Sequence, residues 1–234
     1  MKFTLLKYFS LFPILLGMAS VSSAEPSDIS CLYETVESVA DTAGHHHGNT
    51  KQQPTDWYFW RTKNTVEVSN AEQSFGEKWT LSNKGAVFYQ ALYHNKHFLL
   101  DFQPADLKIL DKKTNWELKS TLFPQEILQK LEKKHSGKFK NYTMIHYQGT
   151  VSGVEYLVDW LPELKLPARV EKASLGQKIV TELKEIYPLA KTAYKQLSHE
   201  KYESMDYADI GDNESHPIVA QLQNNIGTGY FHQH

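Results

Sequence analysis

Apolar and polar positions alternate with a period of two over much of the chain, the signature of strands with one buried face. In Asn64–Ser69, Val66 and Val68 share one face, and Thr65, Glu67 and Ser69 share the other. In Glu77–Leu81, Glu77, Trp79 and Leu81 oppose Lys78 and Thr80. Trp57–Trp60 is an aromatic run of high β-propensity. Ala86–Tyr93 is apolar on both faces, and in His97–Phe102 the residues Phe98, Leu100 and Phe102 alternate with His97, Leu99 and Asp101. Turn sequences at Ser82–Gly85 and His94–Lys96 separate these runs, so the stretch from Asp56 to Phe102 predicts an antiparallel meander.

A second strand-rich stretch runs from Phe139 to Lys172, as two strands around a Gly-containing turn, a break at Leu161–Pro167, and a third strand. Within Val154–Leu161 the even positions Val154, Tyr156, Val158 and Trp160 are all apolar, which commits one face to a core or a cavity. Ala168–Ala173 and Gln177–Ile186 read as further strands, although Ile179, Leu183, Ile186 and Tyr187 in the second also fit a helix.

Helical spacing is sparser. Leu32, Tyr33, Val36, Val39 and Ala40 predict a short amphipathic helix over Cys31–Asp41. Pro104–Leu110 reads as a helical turn or loop. Pro124 opens a helix with Ile127, Leu128 and Leu131 buried, Lys133 and Lys134 at its C-terminus and Gly137 ending it. After Pro188, Leu189, Ala190, Ala193, Tyr194 and Leu197 are again at helical spacing; the tail from Tyr202 is polar and acidic, with a last helix after Pro217.

The first 24 residues have the form of a bacterial secretory signal. Lys2 and Lys7 precede the apolar run Leu11–Met18, and Val21-Ser22-Ser23-Ala24 supplies small residues before a cut at Ala24. Ser10, Pro13 and Gly17 interrupt a run already shorter than the about 20 residues a membrane span needs. The expected location is the periplasm. The full chain of 234 residues carries a formal charge of −2 with no block of basic residues that stands out, which argues against nucleic acid as a partner. Cys31 is the single cysteine, so no internal disulfide forms. It reads as a small residue opening the first helix, or more sharply as a metal ligand or mixed-disulfide thiol; the Asp28-Ile29-Ser30 before it does not suit lipidation.

The order of elements from about Cys31 to Pro188, and above all the sequence GVEYLVDWLPELKLPARVE at Gly153–Glu171, resembles the bacterial lipoprotein-carrier fold of the periplasmic and outer-membrane lipoprotein-sorting proteins. The resemblance implies an α+β, mainly β fold. In it a strongly curved antiparallel sheet (a half-barrel) has helices covering the open side and encloses an apolar cavity for acyl chains. The corresponding organisation is a signal peptide at 1–24, an N-terminal helix and His-rich linker at 25–55, the curved β domain with its inserted helix at 56–200, and an acidic, His-containing tail at 201–234. The His-rich segments and acidic tail depart from the family, and no family functional residue is carried over.

Independently, a half-barrel lined by Trp57, Phe59, Trp79, Phe88, Phe98, Leu100, Phe102, Tyr156 and Trp160 would either pack these residues as core or hold an apolar ligand. His45, His46, His47, His232 and His234 are candidate ligands for a divalent transition metal such as Cu²⁺, Zn²⁺ or Ni²⁺. Asp206, Asp209, Asp212, Glu214 and His216 form an oxygen-rich cluster suited to Ca²⁺, Mg²⁺ or simple helix capping. The chain has no nucleophile-and-base motif, Gly-rich phosphate loop, HExxH or paired zinc cysteines. The expected function is therefore a non-enzymatic periplasmic binding or carrier protein for a hydrophobic ligand or partner segment, with peripheral membrane contact or an envelope protein as partner. A metal-binding accessory protein is the alternative, followed by an interaction module of an envelope complex using the acidic tail.

Overall fold

The computed structural model describes residues 28–39, 50–51, 53–112, 114–191, 196–213 and 215–219. In chain order the strands are β1 (Ile29–Val39), β2 (Thr50–Lys51), β3 (Thr55–Arg61), β4 (Thr65–Asn70), β5 (Gly76–Leu81), β6 (Val87–Tyr93) and β7 (Phe98–Phe102). Three short helices follow: α1 (Pro104–Ile109), α2 (Trp116–Thr121) and α3 (Gln125–Leu128). Then come β8 (Glu132–Phe139), β9 (Tyr142–Val151), β10 (Val154–Leu161), β11 (Leu166–Ser174), β12 (Gln177–Pro188) and β13 (Glu203–Asp206). Among the described residues these strands form one 13-stranded sheet in the order β13-β7-β6-β5-β4-β3-β1-β12-β11-β10-β9-β8, with β2 beside β1. The fold is mainly β, and the sheet is curved and open like a half-barrel.

The two strand-rich stretches of the sequence are the two halves of this sheet, joined by β1, which pairs with β3 on one side and β12 on the other. Local turn chemistry sets the hairpins of the second half. Ser152 and Gly153 both take positive φ, 51° and 79°, between the paired residues Val151 and Val154. That is the conformation a two-residue hairpin needs, and glycine adopts it at least cost. The inserted helices bridge the two halves: β7 lies near one edge of the sheet and β8 is the other edge, and α1–α3 connect them. Leu107 of α1 is buried in a first core cluster with Tyr33, Phe59, Trp79, Phe98 and Leu161. Leu128 of α3 lies in a second cluster with Phe123, Tyr156, Val158 and Trp160. Trp160 and Leu161 are consecutive, so they point to opposite faces of β10, and that strand feeds both clusters.

Two sequence expectations are corrected. Cys31–Asp41 is not a helix: residues 29–39 are β1, and residues 40 and 41 lie outside the described residues. Cys31 and Tyr33, both 0% exposed, alternate on its buried face, and pairing along both edges overrides the helical spacing of Leu32, Val36 and Val39. The helix from Pro124 to Gly137 shrinks to α3, and Glu132–Phe139 is instead an edge strand paired with β9. Its lysines are exposed in either conformation, so burial did not discriminate. Gln177–Ile186, open between helix and strand, belongs to β12. After Pro188 the chain makes a 3₁₀ turn, Leu189–Lys191; residues 192–195, in the expected helix, lie outside the described residues. The tail returns to the sheet as β13, parallel to β7, whereas the other pairings are antiparallel.

Cys31 has no access to solvent, and burial pushes its thiol up to about 12. Because the thiolate is the reactive species, folded protein treated with a maleimide near neutral pH should remain unlabelled and react fully in denaturant. Labelling of native protein at the rate of a free thiol would contradict the burial.

Candidate ligand-binding site

The nine aromatic and aliphatic candidates do not all line one space. Phe59, Trp79, Phe98, Leu100 and Phe102 belong to the first core cluster, and Trp57 packs against it half-buried, stacked on Tyr33 at 4.7 Å. Tyr156 and Trp160 belong to the second cluster. Phe88 pairs with Thr80 and therefore faces away from Trp79 and Tyr89.

What the fold does assemble is an aromatic platform carrying two lysines. Trp79 on β5, Tyr89 on β6 and Phe102 on β7 are neighbours on one face, with ring centroids 4.4 Å and 5.0 Å apart. Tyr207, in the 3₁₀ turn after β13, stacks on Phe102 at 4.7 Å. Glu77 shares this face: its carboxylate accepts from the Tyr89 hydroxyl at 3.1 Å and from Trp79 Nε1 at 3.4 Å.

After α1 the chain reverses at Asp111, which has φ 50°, and the Lys112 amide donates to the Leu107 carbonyl at 2.8 Å. This turn directs Lys112 inward. Its Nζ sits 3.8 Å from the Tyr89 ring centroid and 3.9 Å from Glu77 Oε1. Lys119 of α2 places its Nζ 4.1 Å from the Trp79 centroid. An ammonium over a ring face is attracted by the ring quadrupole, by about 0.5–2 kcal/mol depending on desolvation.

Burial lowers the Lys112 ammonium to about 8, with Lys119 adding repulsion and Glu77 opposing the fall. Burial lowers Lys119 as well, against the pull of Glu77. Nearby Tyr93 is pushed up to about 12, first by burial and then by Glu77. Above the cluster lies a concavity of about 410 Å³ lined by Pro104, Leu107, Lys108, Asp111, Lys112 and Thr114. The Lys112 ammonium and the rings beneath it have almost no exposed surface, so the group is a closed cationic and aromatic cluster beside that concavity. Sequence reading missed Lys112 and Lys119, which look there like any solvated lysines. The available signal was Glu77, a carboxylate on the Trp79 face of a strand.

A second polar group lies on the opposite face of β4–β6. Glu67 is 2% exposed and takes a hydrogen bond from Gln196 Nε2 at 2.5 Å. Lys78 Nζ is 3.1 Å from His199 Nε2, and the buried His94 has its Nδ1 3.0 Å from the Tyr202 hydroxyl. These contacts fasten residues 196–202 onto the sheet just before β13.

The candidate metal ligands His45, His46, His47, His232 and His234 lie outside the described residues, as does Glu214. Of the acidic cluster, Asp206 lies in β13 and accepts from Gln103 Nε2 at 3.3 Å, and Asp209 and Asp212 lie in the following 3₁₀ turn. His216 pairs with Glu203 at 3.1 Å. Among the described residues no three His, Cys, Asp or Glu side chains are grouped to hold a metal ion, and no helix is long and apolar enough to cross a membrane.

No protein-family model and no curated protein matches the chain. Solved structures similar to it include PNGF-II, at 11% identity and a TM-score of 0.40 over 80% of this chain and 33% of that one. MucB in complex with MucA(peri) matches at 8% identity and a TM-score of 0.36, over 76% of this chain and 56% of that one. An outer-membrane lipoprotein-sorting protein domain from Vibrio parahaemolyticus matches at 11% identity and a TM-score of 0.28, over 75% of this chain and 90% of that one. The resemblance to lipoprotein carriers seen in the sequence thus recurs among the structural neighbours. At these scores it carries no argument about what the chain binds.

Proposed function

We propose that this is a non-enzymatic binding or carrier protein of the bacterial periplasm that takes an anionic amphiphile, such as a fatty-acid-like chain with a carboxylate head, at the Lys112–Lys119 platform. The observation that carries this reading is the placement of the Lys112 ammonium 3.8 Å above the Tyr89 ring, beneath a concavity that Lys112 helps to line. The Lys112 ammonium and the rings beneath it are covered in this structure, so a head group would reach the lysines, and an acyl chain the ring row, only after α1 moves aside. The secretory-type N-terminus supports the location.

Fluorescence titration with cis-parinaric acid and with its methyl ester tests the proposal, since the two differ only in head-group charge. The acid is expected to bind at least tenfold more tightly. The Lys112→Met/Lys119→Met variant should lose that preference while keeping the melting profile of a folded protein. Binding of the acid should also weaken as pH rises through about 8, where Lys112 loses its charge. Equal affinity for acid and ester in the unmodified protein, or no binding of either, would overturn the reading.

A further inference from the structure

The edge strand β8 has chemistry unlike the rest of the molecule. Between residues 130 and 151 the sequence holds five lysines (Lys130, Lys133, Lys134, Lys138 and Lys140) and a single acid, Glu132, although the chain as a whole has a charge of −2. Residues 132–138 are all exposed. Among the described residues β8 pairs only with β9, so the backbone groups on its other edge point away from the sheet.

The register arranges part of this charge. A bulge between Lys133 and His135 sets Lys133 opposite Tyr147, Ser136 opposite Ile145 and Lys138 opposite Thr143. Lys133 and Lys138 therefore share one face, separated by four residue steps along β9, or about 13 Å at the usual strand rise. The exposed Lys134 is paired with Glu132, the one acid of residues 130–151, while Glu163 of the β10–β11 turn accepts from the amide of Thr143, the residue opposite Lys138.

We infer that β8 is a docking edge for an extended acidic segment of a partner protein, which adds to the sheet as a further strand. Carboxylates at alternate positions of that segment, two of them four residues apart, meet Lys133 and Lys138 while the main chain pairs with β8. Addition of a strand supplies affinity through main-chain hydrogen bonds and specificity through alternate side chains. An anionic membrane fits less well. The apolar side chains nearest the edge, Phe139, Tyr142 and Met144, pack against the first core cluster, which leaves the patch nothing to insert. Edge lysines also discourage self-pairing of sheets; that role alone would leave the strand without affinity for an acidic peptide.

The test uses the full chain and two synthetic peptides of equal charge: a ten-residue Glu-Val repeat, which forms a strand with all carboxylates on one face, and the same repeat N-methylated at every residue, which has no main-chain N–H to donate. The unmethylated peptide is expected to bind at least tenfold more tightly than the methylated one and to slow amide exchange in residues 132–139. Its affinity should fall with added salt, and by at least tenfold in Lys133→Glu/Lys138→Glu, whose exposed substitutions leave the fold intact. Equal binding of both peptides, protection elsewhere in the chain, or no binding overturns the inference. Binding of phosphatidylglycerol vesicles through the same lysines without any peptide binding would also overturn it. Lys112 and Lys119 are untouched in this variant, so failure here leaves the amphiphile site standing, and failure there leaves β8 standing.

Discussion

Arg61→Ala is expected to destabilise the protein by about 4 kcal/mol, the largest effect of any single substitution considered, and to lower the melting temperature by roughly 10 °C for a chain of this size. Arg61 ends β3 with 0% exposure, and among the described residues its hydrogen-bond partners are two backbone carbonyls. Its Nη1 donates to the Ser120 carbonyl of α2 at 2.6 Å, and its Nη2 donates to the Leu164 carbonyl of the β10–β11 turn at 2.7 Å. The guanidinium therefore ties the first half of the sheet to the helical insertion and to the second half. Burial lowers its pKa, opposed by Cys31, Tyr33 and Asp28, but an arginine stays charged under such a shift.

Alanine leaves two buried carbonyls without their donor and opens a cavity. Arg61→Met keeps most of the volume and should cost about 2–3 kcal/mol, chiefly for the carbonyls. Chemical denaturation of the three proteins measures both steps, and a loss below about 1 kcal/mol for alanine would show that the guanidinium bonds are not what holds α2. Because α2 also carries Lys119, the alanine variant should lose part of the proposed preference for an anionic ligand as well as its stability.

The hairpins were legible in the sequence because their information is local. Period-two alternation in Val154–Leu161 and a turn at Ser152-Gly153 specify β9–β10 without reference to anything distant. The same holds for β6–β7 across His94–Lys96. β1 was not legible, because its conformation comes from partners at opposite ends of the chain: Tyr33 lies between Trp57 and Leu183. In isolation its apolar residues satisfy helical spacing as well as strand spacing. β8 failed for a different reason, since a strand exposed on both faces has no periodicity to read.

The site was less legible still. Lys112 and Lys119 acquire their character from rings on β5, β6 and β7, brought over them by the crossover from β7 to β8. Glu67 shows the same limit. Alternation placed it on the face opposite Val66 and Val68 but said nothing of what covers that face, and residues 196–202 bury it.

That burial makes Glu67 the source of a pH-dependent stability change. Desolvation raises its carboxyl to about 7, against the hydrogen bond from Gln196 and the charge of Lys78, both of which lower it. A folded-state pKa above the unfolded value means that the native state binds the proton more tightly. The contribution is therefore complete below about pH 4.5 and is lost as pH rises through about 7. A shift of this size corresponds to about 3 kcal/mol. His94 and His199 act in the opposite sense: burial lowers both, so each favours the native state more as pH rises through its unfolded value. The pH profile of the unmodified protein mixes these slopes, and the comparison with Glu67→Gln separates them.

Glutamine keeps the shape and a hydrogen bond to Gln196 but cannot ionise. Urea denaturation should find the variant and the parent within about 1 kcal/mol of each other at acidic pH, and the variant more stable by up to about 3 kcal/mol at mildly alkaline pH. A difference that does not change with pH would mean that the Glu67 carboxylate is solvated after all, and that residues 196–202 do not seal the outer face of β4–β6. If the difference grows as expected, ionisation of one carboxylate weakens the hold on the segment leading into β13, whose next turn supplies Tyr207 to the ring row beneath Lys112. The parent's affinity for an anionic amphiphile should then begin to fall at lower pH than that of Glu67→Gln, which retains only the titration of Lys112.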